Sequence, residues 1–261
     1  MTDLMTNYPH GINLLQSSLL SSYPEILHGQ STRKGGFSTG GYEGLNLGLN
    51  TGDDREIVLQ NRAAWSSSLG FSLDSVYYAG QVHGTYVESI DAEHYESGIR
   101  FSHQTDALIT NLRNVPLVIL TADCIPVIIY DPVSRAVGAV HAGWKGSFGR
   151  ITAITLNEMN RKYGTEAKDC RVWIAAGICS RCYEVSPELA DTFKNEFGDR
   201  VVNGRLLNLP RVNQIQLIES GVIPENINMT KQCTYENKVD FYSHRRDNTS
   251  AGRLASFIML R

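Results

Sequence analysis

Residues 115–130 read VPLVILTADCIPVIIY, two apolar segments separated by a short polar turn. Residues 117–120 and 127–130 are rich in β-branched side chains and have the length of β-strands. Asp123 and Cys124 interrupt this longest apolar run of the chain, and a buried carboxylate needs a partner that satisfies it. The stretch therefore predicts two strands joined by a turn that carries reactive polar groups.

Strands and helices are both expected in the rest of the chain. Apolar runs typical of strands lie at residues 26–32, 76–79, 136–140, 172–176 and 239–242. Helical periodicity with capping signals predicts helices over residues 57–69, 147–163 and 210–220, one beginning at Pro187, and a last helix or strand from Gly252. Because these elements do not alternate regularly, the sequence predicts an α+β fold with layers over a mixed sheet.

The 261 residues contain no internal repeat and no linker long enough to divide domains. We expect residues 1–25 to be an N-terminal leader, with a loose helix over residues 11–25, and residues 26–261 to be a single catalytic domain. A chain of this length can form one large domain or two small ones.

Composition and charge exclude several classes of function. A net charge of −3 with 42% hydrophobic residues is typical of a globular protein and predicts neither a nucleic-acid partner nor a membrane partner. The N-terminus lacks the pattern of a signal peptide, and five cysteines are an odd number. These features favour reduced thiols in the cytoplasm over a disulfide framework. None of these patterns predicts an oligomeric state.

Three short segments carry residues suited to a metal ion. They contain His83 before a glycine, Cys124 after Asp123, and His141 before Ala-Gly. Two imidazoles and one thiolate suit a tetrahedral Zn²⁺ ion, and three protein ligands leave a fourth position for water or substrate. The sequence therefore predicts a catalytic zinc site at His83, Cys124 and His141.

The same residues also fit two other hypotheses. Cys124 can act as the nucleophile of a cysteine-dependent hydrolase or amidase, with His83 or His141 as its base. A structural zinc in a non-catalytic protein becomes the better hypothesis if Cys182 completes a closed tetrahedral site. Cys179 and Cys182 have the spacing of half a zinc ribbon or of a redox pair, but we expect them to be structural, with Cys170 and Cys233 standing alone.

Two further motifs are typical of anion binding. The glycine-rich loop at residues 35–41 can form a nest of backbone N–H groups, although a mobile surface turn has the same composition. Arg245 and Arg246 can clamp a phosphate or carboxylate, although a solvated basic turn is the ordinary alternative.

Together these motifs resemble the YfiH-like family, whose members are also called laccase-domain or polyphenol-oxidase proteins. The resemblance spans about residues 26–261. It rests on several motifs in the right order, at residues 32–38, 46–47, 52–62, 81–84, 106–110, 121–127, 141–144, 183–185 and 243–247. It implies a single-domain YfiH-like fold of α/β/β/α layers, with zinc held by His83, Cys124 and His141.

The resemblance also implies an activity. It predicts a zinc-dependent purine nucleoside phosphorylase that acts on adenosine, inosine and S-methyl-5′-thioadenosine, with phosphate as co-substrate and adenosine deaminase as a companion activity. For this chemistry we expect Asp123 to act in acid–base catalysis beside Cys124. Arg245, Arg246 and the Gly35-Gly36 loop are candidates for binding phosphate, and Asn46 for binding ribose or base.

The number of histidines tests whether laccase chemistry fits this chain. A multi-copper oxidase needs many His ligands, often in His-x-His pairs, whereas this chain has seven His and no such pair. The sequence therefore does not support multi-copper chemistry. One Cu²⁺ can occupy the zinc site, since copper binds such ligands more tightly, so a single-copper polyphenol oxidase stays an alternative.

Overall fold

The computed structural model describes residues 3–96 and 101–261. These residues form fifteen strands: β1 (Asp3–Asn7), β2 (Asn13–Ser17), β3 (Ile26–Ser31), β4 (Tyr77–Gly80), β5 (Val87–Ser89), β6 (Phe101–His103), β7 (Ala107–Thr110), β8 (Leu117–Thr121), β9 (Ile125–Asp131), β10 (Ala136–Ala142), β11 (Arg171–Ile174), β12 (Val202–Asn203), β13 (Leu206–Leu207), β14 (Ile227–Met229) and β15 (Leu254–Leu260). In the same ranges there are seven α-helices: α1 (Arg55–Ser68), α2 (Ala92–Glu96), α3 (Trp144–Phe148), α4 (Ile151–Tyr163), α5 (Pro187–Phe197), α6 (Leu209–Glu219) and α7 (His244–Asp247).

The strands build two large mixed sheets and one small ladder. The seven-stranded sheet has the order β1-β2-β3-β15-β8-β4-β6, and the six-stranded sheet has the order β14-β11-β9-β10-β7-β5. Most neighbouring strands are antiparallel, but β4 pairs in parallel with β8 and β6, β11 with β14, and β5 with β7. The short β12 and β13 pair with each other.

The two strands predicted within residues 115–130 belong to different sheets, because β8 lies in the seven-stranded sheet and β9 in the six-stranded sheet. Leu117 and Ile119 of β8 belong to the same buried cluster as Ile128 and Tyr130 of β9. Since side chains alternate between the faces of a strand, this shared cluster fills the space between the two sheets. The turn at residues 122–124 carries the chain from one sheet to the other.

Helices cover the outer face of each sheet. Trp65 of α1 packs edge-on against Phe257 of β15, with ring centroids 5.3 Å apart, on the seven-stranded sheet. On the six-stranded sheet, the outward side chains of β9 and β10 pack with Met159 of α4 and Phe193 of α5. The predicted α+β fold with α/β/β/α layers is therefore confirmed. In the described part of the chain, no helix combines the length and apolarity needed to cross a membrane.

The prediction of a loose helix over residues 11–25 is wrong. This segment forms β2 and a short 3-10 turn, and β1 and β2 extend the seven-stranded sheet. Leu14 and Leu15 are both buried but join clusters on opposite faces of that sheet, a pattern that a strand satisfies and a one-faced surface helix does not. Residues 1 and 2 of the expected leader lie outside the described residues, and the division at residue 26 stays a prediction.

Two other elements also differ from expectation. The helix predicted over residues 147–163 is interrupted at Arg150, whose φ of +63° separates α3 from α4. The strand predicted at residues 239–242 is a turn, since Phe241 N–H donates to the Asn237 carbonyl and no strand pairs with it among the described residues. The element predicted from Gly252 is the strand β15.

Candidate active site and metal centre

The three predicted metal ligands lie side by side. His83 follows β4, Cys124 lies in the turn between β8 and β9, and His141 lies near the end of β10. His83 Nε2 is 3.8 Å from Cys124 Sγ, and the two imidazole centroids are 4.8 Å apart. One ligand atom from each residue can be chosen so that all three lie within 4.8 Å of one another. The fold thus brings two nitrogens and a sulfur to one point.

A glycine makes this close approach possible. A Cβ atom on Gly143 would lie 2.8 Å from His83 Cδ2 and 3.1 Å from Cys124 Sγ. The first distance is shorter than carbon atoms tolerate, so any side chain at Gly143 would push the ligands apart. Glycine at residue 143 therefore lets the three side chains approach this closely.

Asp106 organises the cluster and was missed by the sequence analysis as a site residue. Its Oδ1 lies 2.7 Å from His141 Nδ1 and accepts the His83 backbone N–H, while Oδ2 accepts the N–H groups of Val82 and Gly84. Because Nδ1 of His141 is held by this carboxylate, Nε2 is the nitrogen left for the cluster. Burial opposes ionisation of Asp106, but the hydrogen bond and charge of His141 lower its pKa below the usual value.

The electrostatics of the cluster favour a thiolate beside an imidazolium. Burial opposes charge on Cys124, but the charge and hydrogen bond of His141, together with His83, lower the pKa of Cys124 to about 6. Burial likewise opposes charge on His141, but Cys124 and Asp106 raise its pKa to about 9. A thiolate is the form of cysteine that binds metals and attacks electrophiles, so both hypotheses for Cys124 remain chemically sound.

The cluster lies where two cavities meet, since His83 and Cys124 line both. The larger cavity has a volume of about 730 Å³, is also lined by His141, and contains three arginines that the sequence analysis did not select: Arg55, Arg62 and Arg253. The smaller cavity, of about 270 Å³, is lined by two aromatic side chains and a guanidinium group: Trp144, Tyr183 and Arg245. Together the cavities can hold a small organic molecule and an anion beside the cluster.

Asp123 lies next to Cys124, but its carboxylate is bound by other segments of the chain. Oδ1 accepts the Thr234 hydroxyl, and Oδ2 accepts the Ser243 hydroxyl and the Arg245 backbone N–H at 2.6 Å. The residue has a φ of +89° and is only 8% exposed, although it contributes to the wall of the smaller cavity. Asp123 therefore ties the turn that carries Cys124 to the loop that carries Arg245.

The structure separates the two adjacent arginines. Arg245 lines the smaller cavity with its guanidinium 5.0 Å from the centre of the Tyr183 ring. Arg246 instead donates to the backbone carbonyls of residues 234, 235 and 241 and pairs with Asp247. The guanidinium groups therefore do not form one clamp, and of the two residues only Arg245 lines one of these two cavities.

The other two candidates for binding substrate are occupied by structural contacts. Asn46 is fully buried, and its side-chain oxygen accepts the backbone N–H groups of Gly48 and Arg253, so it positions the segment that carries Arg253. Gly36 is so closely packed that a Cβ there would lie 2.7 Å from the Leu45 Cα. Neither Asn46 nor the Gly35-Gly36 pair lines the two cavities.

A second group of ligand-type side chains lies apart from the first. It contains Cys179, Cys182, Cys233 and Glu236. The expectation that Cys233 stands alone is therefore wrong, because a long-range contact brings it to the Cys179–Cys182 pair. Cys182 belongs to this second group and does not complete a closed site with the two histidines.

Comparisons with known proteins agree with this architecture. Residues 27–261 match the family described as multi-copper polyphenol oxidoreductase laccase. The chain is 33% identical to purine nucleoside phosphorylase YlmD of Bacillus subtilis, over 90% of this chain and 88% of that protein. It is 36% identical to a purine nucleoside phosphorylase of Deinococcus radiodurans, over 96% of this chain and 94% of the relative.

Two more similarities bear on activity and fold. Adenosine deaminase RL5, from an unknown prokaryotic organism, is 30% identical over 81% of this chain and 85% of its own length. The crystal structure of the hypothetical protein YfiH from Bacillus licheniformis superposes with a TM-score of 0.89 and 29% identity, covering 98% of this chain and 99% of that one.

Proposed function

The chain belongs to the family described as multi-copper polyphenol oxidoreductase laccase, and from that membership and the geometry of the site we propose that it is a zinc-dependent purine nucleoside phosphorylase. Its substrates are adenosine, inosine and S-methyl-5′-thioadenosine, with inorganic phosphate as co-substrate and adenosine deamination as a second activity. Relatives named purine nucleoside phosphorylase and adenosine deaminase support the reaction class.

The observation that carries the proposal is the convergence of His83, Cys124 and His141 where two cavities meet. Two imidazoles and a thiolate are a donor set that zinc prefers, and Asp106 orients His141 in the way that carboxylates orient zinc-bound histidines. When bound there, zinc supplies a Lewis acid that polarises a substrate group and makes water more acidic.

The smaller cavity suits the purine nucleoside. Trp144 and Tyr183 offer aromatic faces on which a purine can stack, and Arg245 extends over Tyr183. Asp123 acts by positioning, since its carboxylate holds the backbone of Arg245 beside Cys124. We therefore assign Arg245 a direct contact with the nucleoside, and Arg246 and Asn46 the support of neighbouring segments.

The larger cavity suits the phosphate. Arg55, Arg62 and Arg253 line it, and guanidinium groups recognise phosphate oxygens through paired hydrogen bonds. In phosphorolysis a phosphate oxygen bonds to ribose C1′ while the bond from C1′ to the purine nitrogen breaks, and the departing purine takes the electron pair and a proton. His244 lines both cavities, and its Nδ1 is held by the Asn248 carbonyl, so Nε2 is the atom that can exchange this proton.

The proposal is tested with purified protein whose metal content is known. We expect the protein to release adenine from adenosine and hypoxanthine from inosine, and to form ribose 1-phosphate only when phosphate is present. Chelation of the metal should abolish the release of both bases. Cys124→Ser should abolish turnover, while Cys170→Ala, a change at a buried thiol outside the site, should preserve it. Zinc-loaded protein that releases neither free base nor inosine from adenosine would refute the proposal.

A cysteine-dependent hydrolase or amidase is the second candidate. It is favoured by the 3.8 Å contact between His83 Nε2 and Cys124 Sγ and by the lowered pKa of that thiol. Alkylation should stop such an enzyme while chelation leaves it active, whereas the zinc enzyme loses activity on chelation. A single-copper polyphenol oxidase uses the same three donors, and would show oxygen-dependent oxidation of phenols after loading with Cu²⁺.

A cytoplasmic location is part of the same proposal. None of the five cysteines forms a disulfide in the described residues, although Cys179 and Cys182 lie close together. Free thiols persist in reducing compartments, so this supports the cytoplasm. Detection of the protein only in an oxidising compartment would contradict it.

A further inference from the structure

The second group of ligand-type residues lies at one edge of the six-stranded sheet. The segment with Cys179 and Cys182 follows β11, and the segment with Cys233 and Glu236 follows β14. Because β11 and β14 pair in parallel, their carboxyl ends meet at the same edge and the two following segments lie together. Bonds between the segments fix this arrangement, since Thr234 N–H donates to the Gly177 carbonyl and Cys179 N–H donates to Cys233 Sγ.

The two segments have matching spacings of ligand-type residues. Each presents a ligand-type residue and another three positions later, Cys179-x-x-Cys182 on one side and Cys233-x-x-Glu236 on the other. Cys182 N–H donates to the Cys179 carbonyl, which closes a tight turn around the first pair. Two pairs of ligands, each with two residues between its members, are the spacing that zinc ribbons use to enclose a metal ion.

The distances fit a tetrahedral ion. Cys179 Sγ is 3.6 Å from Cys182 Sγ, Cys182 Sγ is 3.5 Å from Glu236 Oε1, and one atom from each of the four residues lies within 4.8 Å of all the others. Tetrahedral zinc with Zn–S bonds of about 2.3 Å places its sulfur ligands about 3.8 Å apart. The 3.6 and 3.5 Å separations match such a site, and the other ligand atoms lie within 4.8 Å of one another.

The surroundings also suit a bound cation. Cys233 is 2% exposed, so the site is closed on one side, while Glu236 completes it at the surface. Arg181 binds both oxygens of Glu236, at 3.1 and 2.7 Å, and holds the carboxylate in place. An outer partner that orients a ligating carboxylate is common at metal sites.

We propose that Cys179, Cys182, Cys233 and Glu236 form a second, structural zinc site. Four protein ligands leave no open position for substrate, so this site stabilises rather than catalyses. It stabilises the wall of the smaller cavity, because Tyr183 follows Cys182 directly, and Thr234, which follows Cys233, donates to Asp123. This inference does not depend on the activity proposed for the first site.

Zinc counts in purified variants test the proposal. We expect two zinc ions per chain in the native protein, one in Cys182→Ser, one in His83→Gln and two in the control Cys170→Ala. Cys182 is only partly buried, so its serine variant should fold, and Glu236→Gln provides a second variant at the surface. If the first site binds no zinc, the native protein and His83→Gln each hold one ion and Cys182→Ser none, so the two proposals fail separately.

A spectroscopic measurement supports the count. Cobalt in a three-thiolate site should show intense sulfur-to-cobalt charge transfer that Cys182→Ser weakens and His83→Gln leaves largely unchanged. The proposal is overturned if Cys182→Ser and Glu236→Gln both keep the native zinc count, or if mass spectrometry of alkylated native protein finds a Cys179–Cys182 disulfide in place of zinc.

Discussion

Replacing Asp106 by asparagine isolates the part that this carboxylate plays in the proposed metal centre. Its two oxygens accept four hydrogen bonds, from His141 Nδ1 and from the backbone N–H groups of residues 82, 83 and 84. The amide of asparagine retains one oxygen and replaces the other with an NH₂ group. In either orientation of the amide, two of the four donors then face another donor.

The magnitude follows from these contacts. A buried donor without its acceptor costs about 1–3 kcal/mol, and the lower end applies where water can reach the backbone of residues 82–84. Two lost bonds should reduce the free energy of unfolding by about 2–3 kcal/mol. Loss of the carboxylate that orients a metal-binding histidine typically weakens metal binding by about 10–100-fold. We therefore expect Asp106→Asn to fold, with weaker zinc binding and correspondingly lower turnover at limiting zinc.

The assay compares Asp106→Asn with Asp131→Asn. Asp131 is also fully buried and accepts the backbone N–H groups of Val133 and Ser134, but it lies at the end of β9 remote from Cys124. Chemical denaturation should show a larger loss of stability in Asp106→Asn than in Asp131→Asn, because the amide at residue 131 can keep its oxygen where both N–H groups donate. Competition with a chelator should show weaker zinc binding in Asp106→Asn alone. The role assigned to Asp106 would be refuted if Asp106→Asn kept the native zinc affinity, or if both variants lost zinc affinity equally.

Three further predictions follow from other contacts. Gly143→Ala should fold but bind zinc at least about tenfold more weakly, because the added Cβ meets two ligands; unchanged affinity by chelator competition contradicts this. Arg245→Lys should raise the KM for nucleosides, whereas Arg246→Lys should lower the melting temperature with little change in that KM; the reverse pattern would exchange their roles. Burial lowers the pKa of His28 from 6.5 to about 4 in the folded protein. As pH falls below about 6.5, His28 is therefore protonated in the unfolded chain before it is in the folded one, and stability is lost. Between pH 7 and 5 this loss is about 2 kcal/mol, and denaturation of His28→Gln should lack it relative to the native protein.

The three residues predicted as metal ligands lie together in the fold, and each of them has a local signal in the sequence. His83, Cys124 and His141 adjoin glycine or follow apolar strands, and such patterns mark strand ends where side chains can face a cleft. Asp106 had a weaker signal of the same kind, as a carboxylate directly before the apolar β7. A buried carboxylate needs a partner, and the same rule applied to Asp106 would have identified it as a site residue.

The failures came from contacts that local patterns do not encode. Cys233 meets Cys179 only because β11 and β14 pair in parallel, and the pairing of distant strands is not visible in either segment alone. Arg245 and Arg246 are adjacent in sequence, yet the short helix α7 directs their side chains to different surroundings. The sequence shows which groups are present, but the fold decides which of them share a cavity.

The turn at residues 122–124 explains why the site lies where it does. A chain that leaves one packed sheet for the other must turn sharply, and the positive φ of Asp123 is a strained conformation that costs about 1–3 kcal/mol. Thr234, Ser243 and Arg245 offset that cost by donating to the Asp123 carboxylate, and charge-assisted hydrogen bonds of this kind are among the stronger ones. The bonds that hold the turn also fix Cys124 against the loop of Arg245. The connection between the sheets and the wall of the smaller cavity are therefore built from the same contacts, so a change that relaxes the turn should disturb the site before it disturbs the layers.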